Sequence, residues 1–183
     1  MKLDKVAGSG NDEFYTPKYA ILPIIKYLKL KQFKTIWTPF DTSDSLFVKL
    51  LRENGFKVVA THLETGGDFF DLITDTAMLG DVDAIVSNPP YSIKADIFEA
   101  LFASGKPFAM LVGVVGLFES QRRFDMFKNN SFEIMYLNRR VAYFKDYTEQ
   151  KPSKNPPFSS VYVTSQILPK QIVFEEIDKN EVK

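Results

Sequence analysis

Cysteine is absent from the 183 residues, and histidine occurs once, as His62. The first absence excludes a disulfide framework and any thiolate metal site. The second argues against a histidine-built metal centre and against a Ser-His-Asp triad chosen from several histidines. No apolar run approaches the roughly 20 residues that a membrane span needs. The opening stretch "MKLDKVAGSGNDEFYTP" lacks the apolar core of a secretory signal. A cytoplasmic protein with no membrane partner is therefore expected. Charge of one sign is also lacking, since the formal net charge is zero. The charges are unevenly spread, however: residues 106–160 hold nine lysines and arginines against five acids. That bias is compatible with phosphate contacts, although ordinary solvated faces also produce it.

What is present describes a soluble globular domain. Residues are 45% hydrophobic and 14% aromatic, with 17 phenylalanines. A chain of this length builds one domain with a full core. Most of the phenylalanine rings are expected in that core, with some left as stacking surfaces. Residues 1–13 are polar and read as a loose segment. No internal repeat is visible, and nothing resembles a separate target-recognition domain.

Strand and helix patterns alternate through residue 130. "TPKYAILPIIKYLKL" reads as a helix with Thr16 at the N-cap, Pro17 in its first position and a possible kink at Pro23. "KTIWTPF" is a strand. "SDSLFVKLLRENGF" is an amphipathic helix that places Leu46, Phe47, Leu50 and Leu51 on one face and Gly55 after its end. "KVVATHL" is a strand, and "TGGDFFDL" a turn with a short segment. "VDAIVSN" is a strand, "IKADIFEALFASG" a helix, "PFAMLVGVV" an apolar strand and "ESQRRFDMFKNN" a polar helix. "FEIMYL", "SSVYVTSQIL" and "QIVFEEI" follow as strands. This order predicts an α/β domain with a mostly parallel sheet and an antiparallel finish.

Ligands of open α/β sheets bind at the carboxyl ends of the strands. Pro39, Phe40 and Asp41 follow the first strand, His62 ends the second, Asp68 comes soon after, and Asn88-Pro89-Pro90-Tyr91 ends the third. The last motif has a chemistry of its own. Two prolines make a stiff corner that offers no N–H donors. The Asn88 side-chain oxygen and the Pro89 carbonyl remain as fixed acceptors, which suits a planar NH₂ group. Holding both of its hydrogens pushes electron density onto the nitrogen and favours the rehybridised amine that attacks a carbon electrophile. Tyr91 sets an aromatic face beside that position. The bland alternative is a turn that merely ends a strand.

"NPPY" after an apolar strand resembles the hallmark of S-adenosylmethionine-dependent methyltransferases of planar amino groups. These are chiefly the DNA adenine-N6 and cytosine-N4 enzymes, with release-factor glutamine and rRNA guanine enzymes beside them. The resemblance covers roughly residues 12–118. It implies a class I methyltransferase (Rossmann-like) fold with helices on both faces of the sheet. It also implies S-adenosylmethionine as cofactor and DNA, or RNA, as partner. "EFYTPKYAILPIIKYL" is similar to the element that opens a helix beside the methionine end of the cofactor, which would put Tyr15, Thr16 and Pro17 there. "IWTPFDTSDSLFVKLL" stands in the place of the cofactor loop, with Pro39, Phe40 and Asp41. "HLETGGDFFDL" resembles the segment that bonds the cofactor's adenine amine, which would be the role of Asp68, with Phe69 packed near the ring.

Two departures from the family pattern stand out. Thr42 and Asp44 occupy positions where the family loop carries glycines, so the loop must take another path or cofactor binding is weak or lost. Asp41, Thr42, Ser43 and Asp44 also read as a helix-capping cluster. His62 stands where an acidic residue usually meets the cofactor ribose, and a lone histidine is more often structural.

A second Asn-Pro-Pro-aromatic, Asn155 to Phe158, follows polar residues rather than an apolar strand. It reads as a loop entering the strand around Val161. The surrounding Asp146–Pro157 segment offers Lys151 and Lys154 to nucleic acid, and Arg122, Arg123, Arg139 and Arg140 are further candidates for phosphate contacts. The implied reaction is methyl transfer to adenine N6 in DNA after base flipping. A homo-oligomer or a specificity partner would compensate for the short chain. Such compactness fits a phage or mobile element. The rivals are an RNA or glutamine methyltransferase and a degenerate nucleic-acid-binding fold.

Overall fold

The computed structural model describes residues 15–144 and 158–180. Helix α1 (Lys18–Leu30) leads into β1 (Thr35–Thr38), α2 (Leu46–Glu53) and β2 (Lys57–Ala60). Two short helices, α3 (Phe69–Leu72) and α4 (Thr76–Gly80), precede β3 (Ala84–Ser87). Then come α5 (Lys94–Ser104), β4 (Phe108–Gly113), α6 (Gln121–Lys128), β5 (Glu133–Leu137), β6 (Ser160–Ser165) and β7 (Ile172–Glu175). The sheet order is β2-β1-β3-β4-β6-β5-β7. Strands β2, β1, β3 and β4 are mutually parallel; β6 runs antiparallel between β4 and β5, and the edge strand β7 is parallel to β5. The chain moves from β1 out to β2 and returns to the other side of β1 at β3. The switch point therefore lies between the carboxyl ends of β1 and β3.

Each central strand is buried on both sides, as the near-continuous apolar runs require. Ala84, Val86, Ala109 and Leu111 face one core with the apolar stripes of α1 and α2. Ile85, Phe108, Met110 and Val112 face the other, against Ile97, Phe98 and Leu101 of α5 and Met126 and Phe127 of α6. Helices thus cover both faces, as expected. Tyr19 and Tyr162 tie α1 down: Tyr19 Oη accepts the Ala142 N–H, and Tyr162 Oη donates to the Ala20 carbonyl, both at 2.8 Å.

Helix starts differ in detail from their sequence signals. Pro17, not Thr16, is the cap of α1; it is extended at φ −73°, ψ 154° and supplies no side-chain acceptor. The Thr16 hydroxyl is buried and has no hydrogen-bond partner among the described residues. Helix α1 runs unbroken past the buried Pro23. The cap of α2 is Ser45, whose Oγ accepts the Phe47 N–H, and Gly55 follows its end at φ +91°. Asp75 caps α4, an element with no clear sequence signal, by accepting from Ala77 and Met78.

Candidate functional site

The loop after β1 closes through Asp41. Its backbone N–H donates to the Thr61 carbonyl at the end of β2, at 3.2 Å. Its carboxylate is buried and accepts Ser45 Oγ on one oxygen and Ser87 Oγ on the other, each at 2.5 Å. One side chain therefore joins the ends of β1 and β3 to the start of α2. Burial raises the Asp41 carboxyl above the usual carboxylate range, and the two serine hydroxyls partly offset that rise. The route needs no positive φ: among the described non-glycine residues only Gln32 and Gln166 adopt one. This accounts for Thr42 and Asp44 in place of glycines. The loop turns through side-chain bonds rather than through glycine geometry.

The neighbouring strand end is similarly self-contained. His62 Nδ1 accepts the Glu64 N–H at 3.2 Å, capping the single helical turn Leu63–Thr65. Asp68 caps α3, with Oδ1 accepting the Phe70 N–H at 2.8 Å, which leaves its second oxygen to other donors. Phe69 is fully buried, stacked on Trp37 at 5.7 Å and tilted against Phe40 at 5.0 Å. Core packing fixes its ring beside that of Phe40. Phe40 is half-buried, while Pro39 is fully covered.

Asn88 leaves β3 directly after Ser87 and is half-buried, followed by buried Pro89. Pro90 precedes the helical turn Tyr91–Ile93, which runs into α5. The Tyr91 hydroxyl points inward. It donates to Tyr143 Oη at 3.0 Å, which donates to Ser160 Oγ at 2.8 Å. Burial holds the Tyr91 hydroxyl well above its ordinary value, with the nearby Tyr143 adding to the rise. Burial also pushes Tyr143 up to about 12. Both stay protonated at neutral pH, so neither serves as a base.

Phe158, the aromatic of the second Asn-Pro-Pro-Phe, packs edge-on against the Tyr91 ring at 5.3 Å. It also lies over Gly113, where a Cβ would come within 3.2 Å of the ring. Two stretches far apart in sequence thus meet at the end of β4. No motif points to Ser87, Tyr143 or Phe158 as parts of this site. Signals existed for two of them: Ser87 is the polar end of an otherwise apolar strand, and Phe158 closes the repeated tetrapeptide. Tyr143 had none.

At the start of α1, Tyr15 pairs with Phe144 through two backbone hydrogen bonds of 3.1 and 2.9 Å. This holds Thr16 and Pro17 beside residues 141–144. Of the arginines, Arg122 is engaged: its guanidinium donates to both Glu99 oxygens at 2.7 and 2.5 Å and to Asp96 at 2.7 Å. Its charge is neutralised in the packing of α6 on α5, which counts against a free phosphate contact. Arg139 and Arg140 are exposed just beyond the carboxyl end of β5. Lys151, Lys154 and Asn155 lie outside the described residues. Among the described residues, no helix is long and apolar enough to cross a membrane, and no cluster of His, Asp or Glu could hold a metal ion.

The sheet order, the switch point and the helices on both faces define a Rossmann-like α/β fold of the methyltransferase type. Its likeness to a solved structure agrees. The chain superimposes on a modification subunit of a putative type I restriction enzyme from Vibrio vulnificus YJ016 with a TM-score of 0.58 and 12% sequence identity. The match covers 98% of this chain and 50% of that one, so the chain spans half the length of that structure. No family model and no curated protein sequence matches the chain.

Proposed function

We propose that the protein is an S-adenosylmethionine-dependent methyltransferase that modifies the N6 amine of adenine in DNA. The observation that carries this reading is the position of Asn88-Pro89-Pro90-Tyr91. It leaves β3 at the switch point, with a second aromatic ring, Phe158, against its tyrosine. The likeness to a restriction enzyme's modification subunit supports a DNA substrate.

The residues at the strand ends fit the cofactor in part. The Thr16 hydroxyl, buried and without a partner among the described residues, is a group that a polar ligand would satisfy. The remaining oxygen of Asp68 and the half-buried Phe40 ring suit an adenine amine and its ring face. Tyr15, Pro17, Pro39 and His62 shape the same edge. Asp41 contributes by fixing the loop, since Ser45 and Ser87 already use both its oxygens. When bound, S-adenosylmethionine supplies a methyl group made electrophilic by its sulfonium.

Asn88 and the Pro89 carbonyl hold the target amine by its two hydrogens and turn its lone pair outward. The Tyr91 and Phe158 rings wall the flipped base, one by its face and the other by its edge. In such a transfer the amine nitrogen would gain the methyl as the sulfonium's carbon–sulfur bond breaks to leave a neutral thioether, and the nitrogen would release one proton to water. Tyr91 does not take that proton, because its hydroxyl is held protonated by burial. Arg123, Arg139, Arg140, Lys151 and Lys154 supply the cationic surface for the strand, and a second copy or a partner subunit would add target recognition.

Two observations favour a second reading. The cofactor loop closes on itself through Asp41, and Phe69 is buried in the core, as suits a nucleic-acid-binding fold without catalysis. Calorimetric titration with S-adenosylmethionine separates the two. The enzyme reading expects saturable binding that weakens in Thr16→Val. Absence of binding at millimolar cofactor favours the binding fold. Labelled transfer to DNA, RNA and protein then distinguishes an adenine enzyme from an RNA or glutamine enzyme.

A further inference from the structure

Lys94 opens α5, shortly after the amine motif, and Arg123 lies in the first turn of α6. The loop from β4 to α6 brings them together around Gly116. A methyl group placed on Gly116 would lie 3.5 Å from Lys94 Nζ, 4.0 Å from Arg123 Nη2 and 3.9 Å from Glu119 Oε2. Two cations and the exposed Glu119 carboxylate therefore lie within 4.0 Å of one point. Like charges at this range repel, and partial burial raises the cost. Burial and the Arg123 charge both hold the Lys94 ammonium below its ordinary value, with Glu119 opposing them.

Neither cation is compensated in the way Arg122 is. Lys94 Nζ donates to the Val115 carbonyl at 2.7 Å, a neutral acceptor that pins the loop. Arg123 Nε is buried with no hydrogen-bond partner among the described residues, although the adjacent Arg122 is paired with two carboxylates. A planar guanidinium with open donors beside an ammonium is suited to an oxyanion with several acceptor oxygens. An anion placed there would satisfy Arg123 and remove the repulsion between the two cations.

We infer that Lys94 and Arg123 form a phosphate-binding site around Gly116 that holds the backbone of the nucleic-acid strand beside the amine site. The inference rests on the nucleic-acid substrate of the proposed function and adds a residue, Lys94, that no motif indicates. It does not require catalysis. Neutralising a phosphate releases counterions, so each contact contributes close to one unit to the slope of log affinity against log salt.

The test is the salt dependence of binding to a short labelled DNA strand, its duplex and an RNA of the same sequence. Lys94→Gln and Arg123→Gln are each expected to lower the slope by about one. Lys94→Arg should keep the full slope, and Lys57→Gln, at the opposite end of the sheet, should leave it unchanged. A loss of affinity with the slope intact would assign Lys94 and Arg123 to loop structure alone and overturn the site. So would a slope change no larger than that of Lys57→Gln, or no binding to any of the three nucleic acids at low salt. If the slopes fall as expected while S-adenosylmethionine fails to bind, the phosphate site stands and the methyltransferase reading does not.

Discussion

The two ends of the parallel strands are built differently. At the amino end, Asp83 accepts the backbone N–H groups of Lys34 and Thr35 at 2.7 and 2.8 Å, and Lys106 Nζ donates to the Val82 carbonyl. The carboxylate is met by donors at a partly exposed position, and those two amides hold it below its ordinary range. At the carboxyl end, a carboxylate is buried against serine hydroxyls, a proline-stiffened corner is half-open, and two cations approach one point on Gly116. Such costs are tolerated where a ligand recovers them. The amino end is satisfied by its own donors; on the proposed function, the carboxyl end gives up stability for a site.

The sharpest way to break this contrast is at Asn88. Asn88→Ala should lower methyl transfer by about 10²–10³-fold, the effect of losing one preorganised polar contact to the reacting group. Affinity for S-adenosylmethionine should change little, which calorimetry would check. Equal loss of cofactor binding would move Asn88 from the amine to the cofactor. Next is Phe158→Ala. A ring that meets the base by its edge contributes less than a stacked one, which is worth about 1–3 kcal/mol, so nucleic-acid affinity should fall by up to about 5-fold. Binding of a strand lacking the target base should be little affected. An equal loss for both strands would make Phe158 a packing residue of Tyr91 only.

Effects on stability test the carboxylates. Ser87→Ala leaves one oxygen of the buried Asp41 without its donor and should cost about 1–3 kcal/mol in urea unfolding. The smallest effects appear in pH dependence, with opposite signs at the two ends. Asp41 is raised in the folded state, so the fold binds its proton more tightly. Stability should decline as pH rises from the ordinary carboxylate value to the raised one, and stay level above it. Asp41→Asn should remove that decline. Asp83 is lowered, so its contribution is present above the ordinary carboxylate value and lost as pH falls through the lowered one. Asp83→Asn should flatten that acid limb. Denaturant midpoints measured across the acid and neutral range compare the two slopes. Slopes of the same sign at both sites would erase the contrast.

Much of the frame was legible because it rests on periodicity. The apolar runs of β3 and β4 and the stripe of α2 specify two-sided burial, and Asn88 follows an apolar strand by simple adjacency. What was not legible depends on contacts between distant segments. Nothing near Phe69 in sequence indicates that Trp37 and Phe40 will cover it. Asp41 reads equally as a cap or a ligand until Ser87, 46 positions later, is seen to donate to it. Arg122 and Arg123 are neighbours with the same side chain, and only the packing of α6 on α5 separates the neutralised one from the open one. The pairing of Tyr91 with Phe158 turned a repeated tetrapeptide from a coincidence of composition into one aromatic contact.

The central claim is that Asn88 and Pro89 present an adenine amine to a methyl donor. The most direct measurement is incubation of the protein with methyl-labelled S-adenosylmethionine and adenine-containing DNA, followed by nucleoside mass analysis. The account predicts label on adenine N6 that is lost in Asn88→Ala. Label confined to another base or to protein, or undiminished transfer by Asn88→Ala, would contradict it.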